Sequence, residues 1–143
     1  MKLLLPDGTN LGGDPVAEIL KRYHTIGVVG LSSNPSRPSY GVTQYMQSAG
    51  YRIIPVNPNE REVLGEKSYA RVEDVPEKIE IADIFRRIAE VPAAVDSAVS
   101  IGAKVVWMQL GIEHHASAEK ARSAGLIVVM DACILVEHKR RRH

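Results

Sequence analysis

A doubly wound α/β fold is predicted by three features of this sequence. Three times the chain writes a helical segment, a glycine and an apolar strand, at Ala49-Gly50-Tyr51, Ile101-Gly102-Ala103 and Ala124-Gly125-Leu126. Glycine just past a helix is the left-handed cap that lets the chain reverse. The strand segments are continuous apolar runs, such as LIVVM at 126–130, which suits strands buried on both faces of a parallel sheet. Helical and strand segments alternate, and right-handed crossovers then wind helices over both faces of an open sheet. The expectation is a Rossmann-like, mainly parallel five-stranded sheet with helices on both faces.

Taken in order, residues 1–13 read as a turn-rich lead-in with Gly8, Gly12 and Gly13. Asp14 and Pro15 suit the cap and first turn of a helix whose Val16, Ile19, Leu20 and Tyr23 share one face. Ile26, Val28, Val29 and Leu31 form the first strand, with Gly27 and Gly30 where a backbone must pass close to something. A polar loop, SSNPSRP, follows, and Ser39 stands where a helix N-cap belongs, before Val42, Tyr45, Met46 and Ala49 at helical spacing. Tyr51–Val56 is the second strand, stopped by Asn57-Pro58-Asn59, and residues 60–80 are polar with short possible elements at 63–65 and 68–69. Ile79–Phe85 is the third strand, Pro92 opens a helix that Gly102 closes, and Lys104–Leu110 is the fourth strand. Ala116–Ala124 is a short helix, Leu126–Met130 the fifth strand, and Lys139–His143 a solvated basic tail.

The chain has 143 residues, enough for a single domain with a proper core, and its 45% hydrophobic and 24% charged residues are ordinary for a globular protein. A formal net charge of +1 gives no global attraction to nucleic acid or membrane, so anion binding must rest on local groups. The single cysteine, Cys133, excludes an internal disulfide and fits a reducing cytoplasm. The N-terminal MKLLLPDG is too short for the apolar region of a signal peptide, and no later run approaches a membrane span.

In doubly wound sheets ligands bind beyond the carboxyl ends of the strands, where strand order reverses. The residues there are Ser32–Arg37, Asn57–Asn59, Arg86-Arg87, Gly111-Ile112 and Asp131–Cys133. A loop running into a helix start offers N–H groups and a positive dipole end, for which phosphate is the usual occupant. None of these positions supplies a nucleophile–base pair, so the profile suits holding a ligand rather than cutting it. The dinucleotide fingerprint G-x-G-x-x-G is absent, and Asn57 stands where an acid would meet the ribose hydroxyls, which argues against NAD. A P-loop is excluded, since no G-K-[ST] follows the first strand. Adjacent His114 and His115 cannot face one metal from a helix, and no metal site is expected. Trp107, inside a strand, reads as packing. So does Cys133, with a mixed disulfide to a ligand thiol as its reactive alternative.

Gly30-Leu31-Ser32-Ser33-Asn34-Pro35, Arg37-Pro38-Ser39-Tyr40, Ile54-Pro55-Val56-Asn57-Pro58, Ile84-Phe85-Arg86-Arg87 and Val106–Ile112 together resemble the small single-domain CoA-binding proteins. These in turn resemble the CoA-binding domain of the succinyl-CoA synthetase α-subunit. The resemblance spans about residues 15–138, with motifs at every strand end. It implies one CoA-binding domain over residues 1–143, with coenzyme A or an acyl-CoA in an extended groove. It also implies that Gly30, Ser32, Ser33, Asn34, Arg37 and Ser39 surround the phosphates, and that Asn57 approaches the adenosine end. Phe85, Arg86 and Arg87 then line the groove, and Gln109, Leu110 and Gly111 meet the pantetheine side. Ala132 and Leu135 stand where relatives commonly carry Arg and Lys. The phosphohistidine of the synthetase belongs to a second domain with no counterpart in these residues, so ligase activity is not implied.

The function expected is non-catalytic binding of CoA or an acyl-CoA, as carrier, sensor or partner of a CoA-dependent enzyme. Two other classes stay open at this point. One is an NAD(P)-dependent or CoA-transfer enzyme using the same groove; the other is a protein-interaction module. A partner enzyme or homo-oligomer is compatible with each, while nucleic acid and membrane partners are not expected.

Overall fold

The computed structural model describes residues 1–142. Its elements are β1 (Lys2–Leu4), α1 (Pro15–Arg22), β2 (Thr25–Val29), α2 (Pro38–Ser48), β3 (Arg52–Val56), β4 (Glu62–Val63) and β5 (Glu66–Lys67). These are followed by β6 (Ile81–Ile84), α3 (Val91–Ser100), β7 (Val105–Met108), α4 (His115–Ser123), β8 (Ile127–Met130) and α5 (Ile134–Arg141). Six strands form the main sheet in the order β1-β8-β7-β6-β2-β3, and β4 and β5 form a separate hairpin. All neighbours in the main sheet are parallel except β1, which runs antiparallel to β8.

The sheet therefore has one strand more than the five expected. The addition is β1, inside the segment read as a turn-rich lead-in. Its three residues pair Lys2 with Met130, Leu3 with Val129 and Leu4 with Val128. Leu3 joins the core on one face and Leu4 the core on the other, so a strand too short to show a period still earns its place by burial.

Apart from Thr25 at the start of β2, the central strands are buried along their length, and alternate residues feed two cores. Ile81, Val105, Trp107 and Val129 pack under α1, α2 and α5. Ala82, Ile84, Val106, Met108, Val128 and Met130 pack under α3 and α4. Trp107 is fully buried, and its Nε1 donates to the Ala132 carbonyl at 2.8 Å, as its packing role requires. Ala132 is itself buried, so at that position the chain sets a methyl group in the core.

Asp14 caps α1 as expected, accepting from Ala17 N at 3.2 Å, with Pro15 in the first turn. The cap of α2 is Arg37 and not Ser39. Pro38 has the fixed φ that suits a first helical position, so the helix starts one residue ahead of the serine. Residues Lys139–Arg141, expected in a solvated tail, form the last turn of α5. Arg141 Nε reaches the Asp14 carboxylate at 2.9 Å, and its Nη1 reaches Glu137 Oε1 at 3.0 Å, which ties this turn to the start of α1. His143, the end of that tail, lies outside the described residues.

Thr43, on the buried side of α2, has a hydroxyl without a hydrogen-bond partner. Replacing it by the nearly isosteric valine removes a desolvated polar atom and breaks no bond. Thr43→Val is expected to stabilise the protein by about 1 kcal/mol. Urea unfolding would show this as a higher midpoint at unchanged slope; a lower midpoint would mean that the hydroxyl makes a bond in solution.

Candidate functional site

The chain runs outward from β2 to β3 at the sheet edge and then returns across β2 to β6, so the strand order reverses between β2 and β6. Loops leaving these two strands diverge to opposite faces and open a crevice at their carboxyl ends. A groove of about 990 Å³ lies there, at the ends of β2, β3, β6 and β7.

Ten of the residues expected at the site line it: Gly30, Ser32, Arg37, Ser39, Asn57, Phe85, Arg86, Arg87, Gln109 and Leu110. Ser33, Asn34 and Gly111 are not in the lining, and each has a bracing bond. Ser33 N donates to Glu60 Oε2 at 2.7 Å. Asn34 holds the loop together, accepting from Ser36 N at 3.0 Å through its side chain. Gly111, at φ +84°, donates its N–H to Asp131 Oδ1 at 2.8 Å and so fixes the turn after β7.

The two glycines of the first strand have packing reasons for being glycine. A Cβ on Gly27 would meet Ile79 Cδ1 at 2.7 Å, and one on Gly30, at φ +91°, would meet the Phe85 carbonyl oxygen at 2.1 Å. The close approach inferred from the sequence is thus between the ends of β2 and β6. Asn57 is likewise committed to the protein. Its Nδ2 donates to the Leu31 carbonyl at 3.0 Å and its Oδ1 accepts from Asn59 N at 3.0 Å, which clasps the loops after β2 and β3 together.

The paired arginines separate. Arg87 is 87% exposed and lies 3.6 Å from Glu90, a solvated pair worth little. Arg86 is half-buried and lies along Gly30. Among the described residues neither Arg86 nor Arg37 has an ion-pair partner. The groove is thus lined by two guanidinium groups without ion pairs, together with Ser32 and Ser39. Toward β7 the lining changes to Leu110, which is 71% exposed, and Ile112.

Two groups at the site were missed in the sequence. Asp83, on β6, is fully buried and accepts from Gln109 Nε2 at 2.5 Å. Burial pushes its carboxyl up to about 7, although the Gln109 hydrogen bond pulls the other way. Gln109 Oε1 in turn accepts from Ile134 N at 3.3 Å, so the chain from Asp83 through Gln109 anchors the start of α5 on the groove wall. The signal was a lone acid inside the apolar run IADIF, since a polar residue in a buried strand is the informative exception. The second is Glu60, a groove residue that follows the Asn57-Pro58-Asn59 turn and was left among polar loop residues.

Cys133, expected as inert packing, is half-buried, lines the groove and stands at the cap position of α5. His114 caps α4 by accepting from Ser117 N at 3.2 Å, while His115 pairs with Glu113 at 3.1 Å. Among the described residues no three His, Cys, Asp or Glu side chains converge as a metal site would, and no helix is long and apolar enough to cross a membrane.

Comparison with known proteins agrees with the fold. YneT, an uncharacterized protein of Bacillus subtilis, is 39% identical over 123 residues, which is 86% of this chain and 91% of that one. A hypothetical protein from Pyrococcus horikoshii has a solved structure that covers 98% of both chains at 40% identity and a TM-score of 0.87. A dinucleotide-forming acetyl-coenzyme A synthetase from Candidatus Korarchaeum cryptofilum, solved with phosphate and ADP, matches 73% of this chain and 25% of its own at 27% identity and a TM-score of 0.66. The sequence pattern that defines the CoA binding domain matches residues 24–139, from the start of β2 through most of α5 and every strand end that meets the groove. By that match, on a sheet of Rossmann-like topology, the chain belongs to the CoA binding domain family.

Proposed function

We propose that the groove binds coenzyme A or an acyl-CoA without chemical turnover, so that the protein serves as carrier, sensor or partner of a CoA-dependent enzyme. The observation that carries this reading is the gradient along the groove. Arg37 and Arg86, both without carboxylate partners, stand with Ser32 and Ser39 at one side, and Leu110 and Ile112 at the other. A ligand with several phosphates and a long, weakly polar arm matches that gradient. Charge-assisted hydrogen bonds hold the phosphates, and a groove rather than a point contact takes the arm. Asn57 at the end of β3, with its amide already clasping two loops, argues against a ribose diol at that place and so against NAD. A reduced thiol and a CoA ligand both suit the cytoplasm.

Thermal unfolding with CoA, acetyl-CoA, NAD and NADP in parallel tests the reading. At about 100 times its dissociation constant a ligand adds roughly 2.7 kcal/mol to stability, so CoA or acetyl-CoA should raise the midpoint clearly. A rise with NADP and none with either CoA species would overturn it. Arg86→Ala is expected to weaken CoA by roughly tenfold to a hundredfold, the scale of one charge-assisted phosphate contact. Calorimetric titration measures this, and unchanged affinity would remove Arg86 from the phosphate contacts.

A further inference from the structure

The loop after β2 spends most of its N–H groups on itself. Ser32 N donates to Ser39 Oγ, Asn34 N to Ser32 Oγ, Ser36 N to Asn34 Oδ1 and Arg37 N to the Asn34 carbonyl, each at 3.0 Å. These bonds hold the loop in shape and are not open to a ligand without unfolding it. Ser33 N is different. Its partner is the carboxylate of Glu60, 27 residues on, at 2.7 Å. A short N–H···O⁻ bond of this kind is charge-assisted, and it lashes the loop after β2 to the turn after β3 at the edge of the groove that Glu60 lines.

Glu60 has no other anchor. Among the described residues it makes no ion pair, although it lines the same groove as Arg37 and Arg86. The backbone beneath it is fixed independently of its side chain. Glu60 N donates to the Asn57 carbonyl at 3.2 Å, and Asn57 is clasped to Leu31. The carboxylate can therefore leave Ser33 N by side-chain rotation alone, with the turn left in place.

From this geometry we propose that Glu60 is an internal occupant of the anion-binding loop, which a phosphate-bearing ligand must displace, and that it thereby holds down the groove's affinity for anionic ligands. A pyrophosphate, drawn by both arginines, can evict it. Once displaced, the Glu60 charge remains near the ligand and lowers its affinity through like-charge repulsion. The identity of the natural ligand rests on the CoA reading above, whereas the displacement needs only a phosphate.

Calorimetric titration of the whole chain and of Glu60→Gln and Glu60→Ala with inorganic pyrophosphate, CoA and phosphate-free pantetheine tests this. Both variants are expected to bind pyrophosphate and CoA about tenfold more tightly, the scale of one like-charge interaction near a protein surface, and pantetheine no differently. Unchanged or weaker binding of pyrophosphate by both variants, with cooperative unfolding retained, would overturn the role of Glu60 and leave the CoA reading standing. A gain for pantetheine as large as that for pyrophosphate would also overturn it, because bulk rather than charge would then be the cause. Tighter pyrophosphate binding by the variants with no CoA binding by any form would support the role of Glu60 and count against CoA as the ligand.

Discussion

Gly30→Ala is expected to destabilise the fold by about 3–5 kcal/mol, the largest loss foreseen for any single methyl group in this chain. Two costs add. The residue sits at φ +91°, where an L side chain is strained, and its Cβ would lie 2.1 Å from the Phe85 carbonyl oxygen. That oxygen is backbone, so relief requires the end of β6 to move away from the end of β2. Such movement would open the crevice between Arg37 and Arg86, and the variant should also lose ligand affinity. Urea unfolding gives the stability term, and a loss below about 1 kcal/mol would mean that the two strand ends are not held together as described.

Asp83→Asn is expected to do the opposite and stabilise the protein, by about 3–4 kcal/mol at pH 8. The folded-state carboxyl titrates at about 7 against 3.8 for the free group, because burial disfavours its charged form. Below pH 3.8 the carboxyl is protonated in both folded and unfolded chains and imposes no penalty. As pH rises from 3.8 toward 7, the unfolded chain releases the proton while the folded chain keeps it, so stability falls across that window and stays low above it. Asparagine is never charged, and its Oδ1 can still accept from Gln109 Nε2. The advantage of the variant should therefore shrink as pH falls from 8 to 5. Paired urea titrations at those two pH values measure it, and an advantage equal at both would show that Asp83 does not titrate as its burial requires. If the natural residue is kept despite this cost, its use lies in orienting Gln109 and, through it, the first residue of α5 on the groove wall.

The architecture was legible wherever a local pattern and a buried surface agree. Glycine after three of the helices and a mostly apolar run in each strand gave the alternation, and all five expected strands begin and end within two residues of their place in the sheet. Two kinds of element escaped. β1 is three residues long, too short to display a period, and forms because β8 offers it an edge and both cores accept its leucines. The last turn of α5 looks like a solvated run of cations, and only the carboxylates of Asp14 and Glu137 bring Arg141 into the fold. The placement of the α2 cap failed for a smaller reason, since Pro38 is as good a first helical residue as Ser39 is a cap.

At the site, residue type by itself determined that donors, Ser32, Arg37, Ser39 and Arg86, stand at the ends of β2 and β6, where doubly wound sheets bind ligands. Which donors are free was decided only by the tertiary structure. Arg87 is spent on Glu90, Asn57 on Leu31 and Asn59, most of the loop N–H groups on the loop itself, and Ser33 N on Glu60. The reason is that a hydrogen-bonding group has a capacity fixed by its chemistry and a partner fixed by its surroundings. The sequence states the first. The second depends on side chains as far apart as Ser33 and Glu60, or Asp83 and Gln109, which meet only once the sheet has formed.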